Sequence, residues 1–188
     1  MSPIEIVAVI AGLLSVVLTI RQSLWCWPTG IVQVVLYTVI FYEAKLYSDA
    51  LLQVVYVALQ LYGWWAWRWG GPRKDDDLPV TGLSAAGRLG WGAAALVGAV
   101  LLGGGMARWT DAALPLPDAF ITSTSLVAQT LLSRKKWESW VGWIAVDLVA
   151  VPVYAIKALY LTAGLYAVFL GLAVAGLLRW WRQRAPSA

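Results

Sequence analysis

Long apolar runs alternate with short charged stretches along this chain. Seven such runs are found, at residues 4–20, 27–42, 46–69, 89–107, 117–133, 137–156 and 159–181. A helix needs about 20 mainly apolar residues to cross a bilayer, and most of the runs come close to that length. The pattern therefore predicts an all-α integral membrane protein with seven transmembrane helices.

Composition narrows the possible functions. The chain has 188 residues, of which 61% are hydrophobic, and its mean hydropathy of +0.71 is too high for a soluble domain. A single cysteine excludes an internal disulfide and argues against a cysteine metal cluster. The lack of histidine removes the commonest metal ligand and every histidine-based catalytic triad. We therefore expect no metal site, no cofactor and no enzymatic activity.

Basic residues are distributed unequally between the connections. Eleven of the fourteen Lys and Arg residues follow spans one, three, five and seven, whereas only Lys45, Arg108 and Lys157 follow the others. Because cytoplasmic loops carry the basic excess, we expect the N-terminus outside and the C-terminus in the cytoplasm. This segregation by membrane side also argues against nucleic-acid binding.

The two halves of the chain match when one is displaced along the other by a constant amount. The displacement that brings Arg21 onto Arg134 also brings Trp27, Gly63 and Trp67 onto Trp140, Gly176 and Trp180; we call it the repeat shift. Spans one to three therefore recur as spans five to seven with the same orientation, which predicts 3+1+3 parallel repeats. We expect a first repeat at 1–69, a linker with connecting helix four at 70–116, and a second repeat at 117–188. Such repeats are one transporter architecture, with substrate bound between the halves near the midplane.

A carboxylate in the middle of span six is the first candidate for chemistry. Asp147 shares one helix side with Trp140, Trp143 and Tyr154. A charged group at mid-membrane depth is costly, so it indicates a functional site. The aromatic rings beside it predict a cage for a flat, aromatic and possibly cationic ligand. The alternatives are an ion pair with another intramembrane charge and a hydrogen bond between helices.

Amides and aromatic residues follow other spans at helical spacing. They are Gln33 and Tyr37 in span two, Gln53, Gln60, Trp64 and Trp67 in span three, and Gln129 in span five. Amides in hydrocarbon either join helices or contact a ligand. We expect ligand binding where amides and aromatics share a face, and assign Trp65, Trp69, Trp137, Trp180 and Trp181 to interfacial aromatic belts.

Four segments carry a family resemblance. They read W-P-T-G-I-V-Q-V-V-L-Y, L-Y-S-D-A-L-L-Q-V-V-Y, Y-G-W-W-A-W and S-R-K-K-W-E-S-W-V-G-W-I-A-V-D. With them, nearly the whole chain outside the linker resembles the PnuC vitamin transporters. The resemblance implies a seven-helix fold like a full-length SWEET, often a homotrimer, in a bacterial inner membrane. It also implies import of nicotinamide riboside by facilitated diffusion, with Trp64, Trp67, Trp140 and Trp143 as site aromatics.

Two positions depart from the enterobacterial pattern of that family, which has Asn where this chain has Gln33 and Asp147. Related members take thiamine, riboflavin or nucleosides, so these positions bear on which substrate is carried. Nicotinamide riboside has a fixed pyridinium charge that suits an aromatic cage with a carboxylate. Thiamine is also cationic and is the alternative, whereas neutral riboflavin gains nothing from Asp147. A membrane protein with a purely structural role is a further alternative.

Overall fold

Seven α-helices account for nearly all the described part of the chain. The computed structural model describes residues 3–43, 47–72, 77–110 and 113–184. The helices are α1 (Pro3–Ile20), α2 (Cys26–Glu43), α3 (Tyr47–Trp69), α4 (Ala85–Trp109), α5 (Pro115–Ser133), α6 (Glu138–Ile156) and α7 (Tyr160–Gln183). Each coincides with one predicted run to within a few residues. The described residues contain no strand, only an isolated bridge between Thr81 and Lys136.

The largest difference from the predicted boundaries is at the start of α4. The apolar pattern begins at Leu89, but the helix begins at Ala85. Ser84 has extended backbone, and its hydroxyl accepts a hydrogen bond of 3.1 Å from the Gly87 amide. This N-cap satisfies a backbone donor that the first helical turn leaves open. The helix therefore starts within the polar linker, one turn before the apolar run.

Four helices, α1, α4, α6 and α7, are long and apolar enough to cross a membrane. The remaining three, α2, α3 and α5, contain the four predicted amides, Gln33, Gln53, Gln60 and Gln129. These polar groups lower the mean hydropathy of their helices without changing the helix length. The all-helical membrane fold is thus confirmed, with four crossings supported by composition alone.

The chain forms two compact units. Unit 1 comprises Met1–Pro79 with Ser133–Lys135, and unit 2 comprises Val80–Leu132 with Lys136–Ala188. Unit 1 therefore holds α1 to α3, and unit 2 holds α4, nearly all of α5, and α6 and α7.

In unit 1, a tryptophan pair is packed around a glycine. The Trp27 ring lies directly against Gly63, where any added Cβ would overlap its six-membered ring. The Trp67 ring meets the Trp27 ring edge to face, with centroids 5.1 Å apart and planes at 88°. Both indoles are almost fully buried. The glycine thus lets α3 approach α2 closely enough to enclose two large rings.

Unit 2 contains the same arrangement at the positions related by the repeat shift. The Trp140 ring lies against Gly176, where an added Cβ would be 2.6 Å from the ring. Trp180 meets Trp140 edge to face at 5.5 Å and 88°. Trp180 is 0% exposed, so its assignment to an interfacial belt is wrong. Trp137 is also buried, in contact with Trp181, and the belt interpretation fails there for the same reason.

The turns that precede α2 and α6 also correspond. Gln22 and Lys135, which the repeat shift relates, both have a left-handed backbone, with φ of 56° and 53°. Their flanking hydrogen bonds match in partners and length: Ser23 N donates to Leu18 O and Lys136 N donates to Leu131 O, each at 3.0 Å. Left-handed residues are uncommon outside glycine, so finding both at equivalent positions shows that the two turns have the same construction.

Helix α4 packs closely on α5 through small residues. The Ser123 hydroxyl of α5 donates to the Ala95 carbonyl of α4 at 2.9 Å. Gly98 lies directly beneath that serine side chain. Small side chains allow backbones to approach closely in a membrane protein. The small residues of α4 thus bring its backbone close to α5.

The end of the linker forms hydrogen bonds to the start of α6. Trp137 N donates to Thr81 O at 3.1 Å, and Lys136 Nζ donates to Thr81 Oγ1 at 2.7 Å. Glu138 Oε1 then accepts from Leu83 N at 2.9 Å and from Arg88 Nε at 3.0 Å. We call residues 80–84 the linker strap. A single buried carboxylate oxygen thus joins the strap, α4 and α6.

Candidate functional site

Asp147 is the most unusual side chain in the membrane-crossing helices. It is 3% exposed, although it lies in the middle of α6. Neither ion pair found in the described residues includes it, and α6 contains no basic residue. Of the alternatives considered above, an ion pair within the membrane is therefore not supported in the described residues. A buried carboxylate without a countercharge suits a cationic ligand.

Three polar side-chain atoms of α5 and α6 are buried and have no hydrogen-bond partner in the described residues. They are Thr124 Oγ1 on α5, and Ser139 Oγ and Trp140 Nε1 on α6. Buried polar groups are nearly always hydrogen-bonded, so each unpaired one requires an explanation. We call Thr124, Ser139, Trp140 and Asp147 the α5–α6 polar set. A bound ligand or ordered water would supply the missing partners.

The packing of α5 on α6 places part of this set at one depth. Ala128 and Gly142 are in direct contact, since a Cβ on the glycine would be 2.8 Å from the alanine Cβ. The two helices are joined by a short turn and run antiparallel, and each residue advances both by the same rise. Four residues from that contact on each helix, Thr124 lies level with Val146. Thr124 is thus about level with the residue that precedes Asp147.

The remaining predicted aromatic residues of α6 are partly accessible. Trp143 is half-buried, as is Tyr154. The Tyr154 ring packs on Tyr166 of α7 with centroids 5.0 Å apart. On α5, the predicted amide Gln129 is buried. An aromatic ring with accessible surface can stack on a flat ligand, and both Trp143 and Tyr154 retain such surface.

In unit 1 the predicted amides lie on glycines of the neighbouring helix. The Gln33 amide is against Gly12 of α1, where an added Cβ would be 2.6 Å from Nε2. The Gln60 amide is against Gly30 of α2, where an added Cβ would be 2.5 Å from Gln60 Nε2. Gln60 is buried and Gln33 half-buried. Both amides thus contribute to helix packing, whatever else they contact.

The other predicted residues of α2 and α3 are exposed to different degrees. Tyr37 and Gln53 are half-buried, and the Tyr37 ring stacks on Phe41 with centroids 5.6 Å apart. Trp64 is 38% exposed, whereas Trp67 is 1% exposed. These two tryptophans, which the sequence places on one helix face, therefore differ sharply in accessible surface.

A buried lysine covers the Trp67 ring. Lys135 is buried, and its ammonium lies 4.6 Å from the Trp67 ring centroid. Removal from water lowers its pKa below the ordinary value of 10.5, while Asp77 and Cys26 partly oppose this shift. The cation–π contact compensates part of the cost of burying the charge. Lys135 thus holds positive charge at the end of α3, where the sequence analysis had assigned no specific role.

Sequence reasoning missed three of these residues. Thr124 and Ser139 are hydroxyl residues without an amide or aromatic partner at helical spacing, so nothing in the pattern distinguished them. Trp27 packs against Gly63, and its Nε1 is buried without a partner in the described residues. The match of Trp27 to Trp140 under the repeat shift was the available signal.

The described residues contain no group of three or more potential metal-ligating side chains. What the site does contain is a buried carboxylate, unpaired hydroxyl and indole donors, and accessible aromatic surface.

Comparison with known proteins gives a consistent answer. The family model for "Nicotinamide mononucleotide transporter" matches residues 2–182. The nicotinamide riboside transporter PnuC of Escherichia coli is 28% identical over 204 residues, which cover 96% of this chain and 85% of that protein. The riboflavin/roseoflavin transporter RibM of Streptomyces davaonensis is 32% identical over 186 residues, covering 97% and 87%.

A solved structure is also similar. The crystal structure of the vitamin B3 transporter PnuC aligns with a TM-score of 0.75 and 26% identity, covering 94% of this chain and 80% of that one. The sequence resemblance is thereby confirmed. The chain belongs to the PnuC family of membrane transporters, and it is a multi-pass membrane protein of that family.

Proposed function

We propose that this protein imports nicotinamide riboside across the bacterial inner membrane by facilitated diffusion. The observation that carries the proposal is Asp147, a buried carboxylate of α6 without a countercharge in the described residues. The pyridinium ring of nicotinamide riboside bears a fixed positive charge, which a carboxylate in a low-dielectric site attracts strongly. Similarity to the E. coli nicotinamide riboside transporter supports the same substrate.

The proposed substrate contacts follow from the chemistry of each side chain. They are Gln33, Tyr37, Gln53, Gln60, Trp64, Trp67, Gln129, Trp140, Trp143, Asp147 and Tyr154, to which we add Thr124 and Ser139. Trp64 and Trp143 have accessible ring surface for stacking, and Trp140 Nε1 is a free donor. The amides and hydroxyls would bind the ribose hydroxyls. Asp147 would neutralise the pyridinium charge.

We propose seven crossings arranged as 3+1+3 parallel repeats, in the manner of a full-length SWEET. The repeats are 1–69 and 117–188, with 70–116 as linker, connecting helix and outer loop. Support comes from the equal turns at Gln22 and Lys135 and from the two tryptophan–glycine clusters. The basic excess favours an outer N-terminus and a cytoplasmic C-terminus. A homotrimer follows from family resemblance.

A second candidate substrate is riboflavin, which the 32% identity to RibM favours. Its isoalloxazine ring would stack on the same tryptophans. Riboflavin is neutral, however, so it would leave Asp147 without a countercharge. Thiamine, a cationic vitamin, would satisfy the carboxylate and is the remaining alternative. The charge of the substrate therefore distinguishes the candidates.

The test is substitution of Asp147→Asn with two ligands of nearly equal shape. Nicotinamide riboside is cationic, and its reduced dihydro form is neutral. We expect the variant to bind the cation at least about tenfold more weakly, as for loss of a hydrogen bond to a charged group, and the neutral form nearly unchanged. Binding is measured by calorimetry on the purified protein, with thiamine and riboflavin as further ligands.

Equal losses for the cationic and neutral forms would contradict the charge argument. Tighter binding of riboflavin than of nicotinamide riboside by the wild type would favour the second candidate. Uniport is tested separately in proteoliposomes, where we expect uptake to be insensitive to an imposed pH gradient. Gradient-dependent accumulation would instead indicate coupled transport.

A further inference from the structure

The last turns of α7 carry a groove lined by one face of the helix. It is a shallow, open depression, and its lining residues are Ala175, Leu178, Arg179, Arg182 and Gln183, all on α7. All five residues belong to unit 2, and none of them is among the proposed substrate contacts.

The two arginines of this groove are not engaged by carboxylates of the described residues. Both are exposed, and the ion pairs found there are Arg88 with Glu138 and Lys157 with Asp118. Helix α7 contains no acidic residue at all. The groove therefore presents two guanidinium groups about one helical turn apart, and no anion from the described part of the protein pairs with them.

Arg184, unlike Arg179 and Arg182, is bound by residues of its own helix. The Arg184 guanidinium lies 3.5 Å from the centroid of the Trp181 ring, and its Nη1 donates to the Trp181 carbonyl at 2.8 Å. Arg184 is thus held against the helix end by cation–π and hydrogen-bond contacts. Arg179 and Arg182 line the groove instead.

The groove changes from apolar to cationic along the helix axis. Helix α7 is long and apolar enough to cross a membrane, and Ala175 and Leu178 belong to its apolar part. Arg179 and Arg182 follow in the last turns of the helix. Leu178 is 53% exposed, so its side chain is available to an acyl chain. An apolar stretch followed by positive charge matches the order of acyl chain and phosphate in a phospholipid.

We propose that this groove binds an anionic phospholipid, with the phosphodiester held by Arg179 and Arg182 and an acyl chain against Ala175 and Leu178. Guanidinium groups form paired, charge-assisted hydrogen bonds to phosphate oxygens. Basic residues beside membrane helices attract anionic lipid headgroups. The apolar floor favours a lipid over a soluble phosphate, which would gain nothing from Leu178.

The test compares two double variants that remove the same charge. Arg179→Gln/Arg182→Gln alters the groove, whereas Arg21→Gln/Arg108→Gln removes two exposed charges elsewhere. Native mass spectrometry of the purified full chain measures binding of phosphatidylglycerol and of phosphatidylcholine. We expect the wild type and the control to prefer phosphatidylglycerol by roughly tenfold or more. The groove variant loses this preference.

Three results would overturn the proposal: no lipid preference in the wild type, an undiminished preference in the groove variant, or equal loss in both variants. Millimolar inorganic phosphate is added in a further arm, and displacement of phosphatidylglycerol by it would assign the groove to a soluble anion. Equal melting temperatures of all three proteins in lipid-free detergent exclude unfolding as the cause. None of these readouts depends on the transported substrate, so the proposed function is tested independently.

Discussion

The two units share one packing motif but differ in what surrounds it. In unit 1 Trp27 lies on Gly63 and is met edge to face by Trp67. In unit 2 the residues related by the repeat shift form this arrangement again with nearly the same ring distance and angle. Large rings on glycines fix how closely two helices approach, and this contact does not depend on the polar residues nearby.

The difference begins one turn further along the helices. Unit 1 has Gly30 on α2 and Gln60 on α3, in direct contact. The equivalent positions in unit 2 are Trp143 and Ala173, so the large side chain has moved to the other helix. Similarly, Val34 in unit 1 corresponds to Asp147 in unit 2. The comparison teaches that a shared scaffold can hold packed amides in one unit and unpaired polar groups in the other.

The largest effects are expected from filling the glycines of the shared motif. Gly63→Ala and Gly176→Ala would each force a Cβ into an indole ring. We expect each to destabilise the protein by about 1–3 kcal/mol or more, because a packed core responds to added volume by strain. Gly63→Ala should be the more severe, since its Cβ overlaps the Trp27 ring more deeply. Thermal unfolding in detergent measures both.

The matched controls are Gly164→Ala and Gly171→Ala, whose added Cβ atoms would meet no heavy atom within 4 Å. These should leave the melting temperature unchanged or slightly raised, since alanine is the better helix former. If the two core variants behave like the controls, the tryptophan–glycine contact does not stabilise the interior of either unit.

The next prediction concerns the unpaired hydroxyls that distinguish unit 2. Thr124→Val removes a buried hydroxyl that has no partner, so stability should be unchanged or higher. If that hydroxyl binds substrate, uptake of nicotinamide riboside at low concentration should fall roughly threefold to tenfold, the value of one neutral hydrogen bond. Ser139→Ala should act similarly. Uptake into proteoliposomes measures the effect.

The control for the hydroxyl variants lies in unit 1. The Thr38 hydroxyl already donates to the Val34 carbonyl at 2.7 Å, so Thr38→Val should leave uptake unchanged. Equal loss of uptake in Thr38→Val and Thr124→Val would show that the unpaired hydroxyls have no special role.

A smaller effect is expected where Glu138 of α6 binds the linker strap. This carboxylate is particular to unit 2, because the equivalent position in unit 1 is the exposed Trp25. Glu138→Ala removes the acceptor for Leu83 N and Arg88 Nε. We expect faster amide hydrogen exchange across residues 80–84 and a stability loss of about 1 kcal/mol, because Arg88 is half-exposed and its ion pair is screened. Glu43→Ala, an exposed acidic site, is the control. Unchanged exchange in the strap would contradict this role of Glu138.

The smallest effect concerns the buried charge of Lys135. Burial lowers the pKa of Lys135 in the folded protein below 10.5, the value expected for the unfolded chain. Between these two pKa values, the unfolded chain binds more protons than the folded one. Stability from this group therefore rises with pH across that window. Relative to Lys135→Gln, the wild type should gain melting temperature as the pH rises toward 10.5. A constant difference would mean that Lys135 is solvated like an ordinary lysine.

The sequence alone determined the helices, and it predicted a repeat of three of them. Apolar runs of membrane-crossing length mark a helix because the bilayer leaves the backbone no other means of pairing its hydrogen-bonding groups. The matches of Trp27 with Trp140 and of Gly63 with Gly176 were also readable, and they coincide with equal packing in the two units. Asp147 was distinguished by its charge, since a carboxylate in an apolar run is rare for a physical reason.

Only the tertiary structure decided which polar and aromatic residues are packed and which retain accessible surface. Helical spacing placed Trp64 and Trp67 on one face, yet one is 38% exposed and the other 1%. It also could not show that Trp180 is buried, that Gln60 lies on Gly30, or that Thr124 has no partner. The reason is that lipid and helix neighbours are equally apolar, so a membrane helix carries little sequence contrast between its two kinds of surroundings.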